Sequence, residues 1–209
     1  MKWRRPGWQL FTLTAGLFAL VCFVEIPPVT ALIGGMKLPD QMLFGYDQEG
    51  ARALFAAFMA DQTAADLQGR ASASQAYLKL HAGCDPTLPP LLAASLVFWA
   101  FVAWKKPVRA GRVQHIASVG FGLAMALALT YLISDLIENH IADTIFGPDA
   151  LKQAFNKDLA LGLQVLTGIK FASLALAIAL IAALWFGGGE TAHEKSDRAQ
   201  KAKPALPLT

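Results

Sequence analysis

Glu25, Asp85, Asp135, Glu138 and Lys170 are ionisable residues set in, or at the edge of, segments otherwise built from Leu, Ala, Val, Ile and Phe. A charged group at the centre of a membrane helix costs about 2.5–3.5 kcal/mol even on the lenient insertion scale. Four carboxylates and one lysine in such surroundings must therefore meet each other, water or a bound species. Two chemistries fit. Lys170 could neutralise one or two carboxylates and hold helices in register, as electrostatic glue. Alternatively, the surplus of carboxylates over lysine could bind protons or a ligand. Asn139 and His140 follow Glu138 directly and add polar atoms, and Tyr77 and His81 are candidate partners at the same rim.

The elements that must position these groups are membrane spans. The chain has 209 residues, of which 55% are hydrophobic and 16% charged, with a mean hydropathy of +0.44. That composition belongs to a membrane protein. Apolar runs long enough to cross a bilayer cover about 8–26, 86–104, 116–138 and 161–186. Pro86, Pro89 and Pro90 sit at the start of the second run, where proline fits a first helical turn. The expected fold is all-α: an integral membrane four-helix bundle over 1–189, with a flexible tail at 190–209.

Basic residues set the expected orientation. Lys2, Arg4 and Arg5 precede the first span, Lys105, Lys106, Arg109 and Arg112 join the second to the third, and Lys195, Arg198, Lys201 and Lys203 lie in the tail. The positive-inside rule puts both termini in the cytoplasm, with Trp8, Trp99, Trp104 and Trp185 near the inner ends. A secretory signal over 1–31 is the competing reading. Glu25 and the Pro27-Pro28 pair crowd its cleavage region, which favours a retained helix.

Depth counting places the charges together. At about 1.5 Å per residue from the inner ends, Glu25 lies about 27 Å up, Asp85 and Asp135 about 30 Å, Glu138 about 34 Å and Lys170 about 24 Å. In the third span Gly120, Ala124, Ala128, Tyr131, Asp135 and Glu138 recur in steps of four and three, which makes one stripe facing the bundle interior. Thr167, Lys170, Leu174 and Ala177 share a comparable face of the fourth span.

Residues 36–84 are too many for a plain connector and predict an extracytoplasmic helical cap. Asp47 can cap a helix from about Gln48, with Ala51, Leu54, Phe55, Phe58 and Met59 on one face. A second short helix is expected from about Ser72 to Leu80. A second outer loop is expected around 143–158, where Asp149 could cap a turn.

Several functions find no support. Neither a phosphate loop, a nucleophile elbow, a zinc-protease motif nor a nucleic-acid module occurs, and the net charge of +3 is accounted for by the basic flanks. His81, His140, Cys84 and Asp85 lack the spacing of a metal or haem site, so no cofactor is expected. A disulfide between Cys22 and Cys84 would need the tops of the first two spans side by side.

Gly45-Tyr46, Gly69-Arg70, Tyr77, Asp85 with Pro89, then Asp135, Glu138 and Asn139, and finally Lys170, resemble the pattern of an uncharacterised family of small bacterial four-span inner-membrane proteins. The likeness covers roughly 38–174. This chain departs from it at Ser72-Ala73-Ser74-Gln75 and at Leu88, where an aromatic is usual. The resemblance implies the architecture and the charge cluster, and no reaction. The leading expectation is a structural or accessory membrane component, whose partners are the lipid bilayer and another membrane protein or a second copy. A small proton-coupled carrier and a metal- or haem-binding protein are the alternatives.

Overall fold

The computed structural model describes residues 4–43, 45–105 and 112–186. The tail at 190–209, and with it Lys2, Lys106, Arg109 and the tail lysines used for orientation, lie outside the described residues. Helix α1 spans Arg5–Leu32, α2 Gln48–Gln68, α3 Ala73–Ala82, α4 Leu88–Trp104, α5 Arg112–Phe146 and α6 Lys157–Phe186. The described residues are helical with no strand, and four rods are long and apolar enough to cross a membrane: α1, α3 with α4, α5 and α6.

The sequence explains where each rod bends or stops. Pro27 and Pro28 lack the N–H groups a continuous ladder needs, yet α1 runs through them to Leu32. A π-helical turn at Val21–Glu25, with the Ile26 N–H donating back to the Val21 carbonyl, absorbs the mismatch. Pro89 and Pro90 lie in the first turn of α4, after a 3₁₀ turn at Asp85–Thr87 that separates it from α3. Asp47 caps α2, accepting from Gly50 N at 2.7 Å, and Gly69 ends α2 with a left-handed φ of 64°. Ser72 and Gln75 form a reciprocal capping box that starts α3.

One expected boundary is displaced. α5 does not end near Glu138 but runs 35 residues, about 52 Å. Nothing between Asn139 and Phe146 breaks a helix; the first breakers are Gly147 and Pro148. Asp143 therefore belongs to α5, and the loop begins four residues later. Asp149 caps no backbone group there; its carboxylate accepts from Lys152 Nζ at 2.8 Å. Met59 is also displaced from expectation, since it is 45% exposed while Ala51, Leu54, Phe55 and Phe58 are buried.

Packing forms two apolar regions. α5 lies along α6, α4 packs on both, and α1 rests on α4, where the Thr14 and Ser95 hydroxyls meet at 3.0 Å. Small buried residues allow this close approach: Ala100, Ala103, Ala117, Ala124, Ala128 and Ala177. Trp99 packs edge-on to Trp8 at 5.8 Å and lies 6.0 Å from Trp185 at the end carrying the termini. The second region lies at the opposite end, where α2 and α3 cover the tops of α5 and α6 around Phe58, Tyr77, Phe146, Leu38 and Leu54. Along α5 the polar residues Asp135 and Glu138 fall between Ala128 of the alanine seam and Ala142 of the cap core. Along α6, Thr167 and Lys170 fall between Leu163 and Ala177 in the same way. The charged layer is thus sandwiched between two apolar cores.

Candidate functional site: a charged layer beneath the cap

Lys170 is the centre of the layer. Its side chain is 5% exposed, with Nζ 2.5 Å from Glu138 Oε2, 3.1 Å from Asp135 Oδ1 and 3.9 Å from Asp40 Oδ1. The contact with Glu138 Oε2 is close in charge but is not angled as a hydrogen bond. Glu138 is completely buried, and its other oxygen accepts from the Thr167 hydroxyl at 2.8 Å. One turn of α6 therefore supplies both a cation and a donor to one turn of α5.

Asp40 reaches the layer from the connector between α1 and α2, in the 3₁₀ turn Pro39–Gln41. That connector is held down tightly. Leu38 is fully buried, Leu38 N donates to Gln41 Oε1 at 2.9 Å, and the Tyr46 hydroxyl donates to the Lys37 carbonyl. Gly45, at φ 68°, passes so near α6 that a Cβ would lie 3.0 Å from Gln164 Cα. Burial alone would raise the Asp40 carboxyl, but the facing His81 ring, the Lys170 ammonium and the Tyr77 hydroxyl hold it down, to about 2 from the ordinary 3.8.

His81 carries the network into the cap. Its Nδ1 is 2.6 Å from Asp143 Oδ1, and its Nε2 faces Asp40 Oδ2 at 3.6 Å. The ring lies tilted against Tyr77, centroids 4.2 Å apart, and the Tyr77 hydroxyl donates to Asp40 Oδ2 at 3.3 Å. With a proton on both nitrogens, His81 becomes a second buried cation beside Lys170. Asp85 takes another partner: its Oδ2 accepts from Asn139 Nδ2 at 2.8 Å. His81 Nε2 and Asn139 Oδ1 are buried without a hydrogen-bond partner.

Of the residues expected from sequence, Asp135, Glu138 and Lys170 meet directly, Asp85 and Asn139 pair beside them, and Tyr77 and His81 join through Asp40. Two do not join. His140 is exposed on α5, because its helical position turns it from the face shared by Asp135, Glu138 and Asn139. Glu25 is not a partner of Lys170; it lies against α3, with the Cys84 thiol in hydrogen-bond reach. Cys22 and Cys84 are free thiols.

Asp40, Asp143 and Thr167 are the residues that sequence reasoning missed as site members. Depth counting considered only the spans, so a carboxylate delivered by the connector was invisible to it. The signal for Asp143 was present, since no helix breaker separates it from Glu138.

A cleft of about 420 Å³ opens at the cap end, lined by Asp143, Phe55, Leu78, Gly147 and Asn156 among others. The Asp143 side chain is 31% exposed, so the layer touches the cleft through the Asp143–His81 pair. Among the described residues no group of three or more His, Cys, Asp or Glu is placed to hold a metal ion. The arrangement can hold charge in an apolar setting, tie the cap to two spans and exchange protons with the cleft through His81. Comparison with protein families, curated proteins and solved structures finds no match to the chain.

Proposed function

We propose that this chain is a bacterial inner-membrane protein of structural or accessory type, working as a component of a membrane assembly and not by catalysis. Both termini face the cytoplasm and the α2–α3 cap faces outward. The reading rests on Lys170: one buried lysine binds carboxylates from the connector and from α5, so the charged side chains serve internal locking. Such a lock keeps the cap rigid on the spans, as a docking platform for another membrane protein or a second copy requires. Orientation rests on the basic flanks.

Two experiments test it. Single-cysteine labelling in intact cells should reach a cysteine at Lys79 from outside and one at Lys201 only after permeabilisation. Gentle solubilisation from native membranes should yield a stoichiometric companion chain or a homo-oligomer. A lone monomer carrying a bound chromophore or metal would overturn the proposal.

The Asp143–His81 pair favours a second reading, a proton-responsive site entered from the cap. Proton flux in proteoliposomes that is lost with His81→Gln would favour it over the first. Flat traces across a range of pH would remove it.

A further inference from the structure

Glu25 is the intramembrane carboxylate that the Lys170 layer leaves out. It lines a cleft of about 510 Å³ between the end of α1 and the last turns of α3, together with Pro28, Val29, Lys79, Leu80 and Gly83. That volume lies in the range of small-molecule and headgroup sites. Glu25 Oε2 is buried and has no hydrogen-bond partner, an expensive state for a carboxylate oxygen. Lys79 lines the same cleft with an exposed side chain and, like Glu25, has no ion pair among the described residues. Opposite charges therefore share one cleft without neutralising each other.

Further features give the cleft a polarity. The carboxyl-terminal end of α3 lines it and presents the negative end of the helix dipole, which favours a cation beside Glu25. Gly83 keeps that end compact, because a Cβ there would lie 3.1 Å from the Lys79 carbonyl oxygen. The remaining walls are apolar. Next to Glu25, Phe23 and Val24 are 78% and 58% exposed on α1, a surface suited to acyl chains.

We propose that this cleft binds the headgroup of an ethanolamine phospholipid. Glu25 receives the primary ammonium and Lys79 the phosphate, while the acyl chains descend along Phe23 and Val24. A primary ammonium supplies the N–H donors that Glu25 lacks. A choline headgroup has a cation but no N–H, and a glycerol headgroup has no cation.

The test is native mass spectrometry of the full chain released from nanodiscs of equal parts phosphatidylethanolamine, phosphatidylcholine and phosphatidylglycerol. The wild type should retain phosphatidylethanolamine over phosphatidylcholine by about tenfold, the size of one charge-assisted hydrogen bond. Glu25→Gln should reduce that preference to near unity. Lys79→Ala, at an exposed position that leaves folding intact, should lower retention of both lipids. Equal retention of the two zwitterionic lipids by the wild type, or unchanged retention by Lys79→Ala, overturns the proposal. Displacement of the lipid by soluble phosphoethanolamine at micromolar concentration also overturns it, since the acyl chains would then contribute nothing.

Discussion

Replacing Lys170 by Met isolates the energetics of the charged layer. The substitution keeps most of the side-chain volume, so it removes charge with little cavity. At an effective dielectric of about 20, contacts of 2.5 and 3.1 Å are each worth roughly 5–7 kcal/mol of Coulomb attraction. Burying the ammonium costs several kcal/mol in return, so the pair's net worth is far smaller. What decides the outcome is what remains. Glu138 and Asp135, with side chains 1% and 11% exposed, are left beside each other without a cation. Breaking a buried pair from one side costs about 3–5 kcal/mol. Polar contacts between membrane helices average only about 0.6 kcal/mol, so the two accounts are well separated. Unfolding by SDS titration in mixed micelles, followed by far-ultraviolet circular dichroism, measures the difference. The triple variant Lys170→Met, Asp135→Asn, Glu138→Gln should recover most of the loss, because no charge is then stranded. A single variant within about 1 kcal/mol of wild type, or a triple variant no better than the single, refutes the reasoning.

Other outcomes follow from the same geometry. The depressed carboxyl of Asp40 contributes stability that is present above its unfolded value of 3.8 and is lost as pH falls toward about 2. The contribution is about 2 kcal/mol, and Asp40→Asn should flatten the acid limb of a stability–pH curve in that window. Gly45→Ala and Gly69→Ala both force a left-handed φ on a residue with a Cβ, at roughly 1–2 kcal/mol. Only Gly45 also meets backbone, at 3.0 Å from Gln164 Cα, so thermal unfolding should show Gly45→Ala as clearly the worse of the two. Asp61 is buried, 2.5 Å from Arg70 and accepting from Ala73 N at 2.6 Å. Asp61→Ala should cost about 1–3 kcal/mol and speed amide exchange at the start of α3, measured by hydrogen–deuterium exchange.

The apolar runs exposed the spans to view because a bilayer demands about 20 apolar residues, a signal that survives without any tertiary information. The stripe on α5 was legible for a similar reason: helical spacing alone sorts Asp135 and Glu138 onto the face that carries Ala124 and Ala128. Capping chemistry gave Asp47, since it acts on a neighbour three residues away. The end of α5 was a local misreading, whereas the failures at Asp40 and Glu25 are long-range. Asp40 sits in a connector whose path depends on Leu38, Gly45 and Tyr46 finding their places, which no local pattern states. Glu25 reckons to the right depth, but depth does not specify azimuth. The turn of α1 faces it toward α3 and away from Lys170. His140 fails for the opposite reason, lying next to Asn139 in sequence yet on the exposed face of the same helix.

The central claim is that Lys170 of α6 is the shared cation of Asp135 and Glu138, beneath the cap. Dipolar recoupling by solid-state NMR in lipid bilayers, between ¹⁵N-labelled lysine side chains and ¹³C-labelled carboxyl groups, measures it directly, with Lys170→Met to assign the signal. The account predicts strong coupling of the Lys170 ammonium to both an aspartate and a glutamate carboxyl, the glutamate coupling vanishing in Glu138→Gln and persisting in Glu25→Gln. A glutamate coupling that vanishes in Glu25→Gln, or a Lys170 ammonium coupled to no carboxyl, would contradict it.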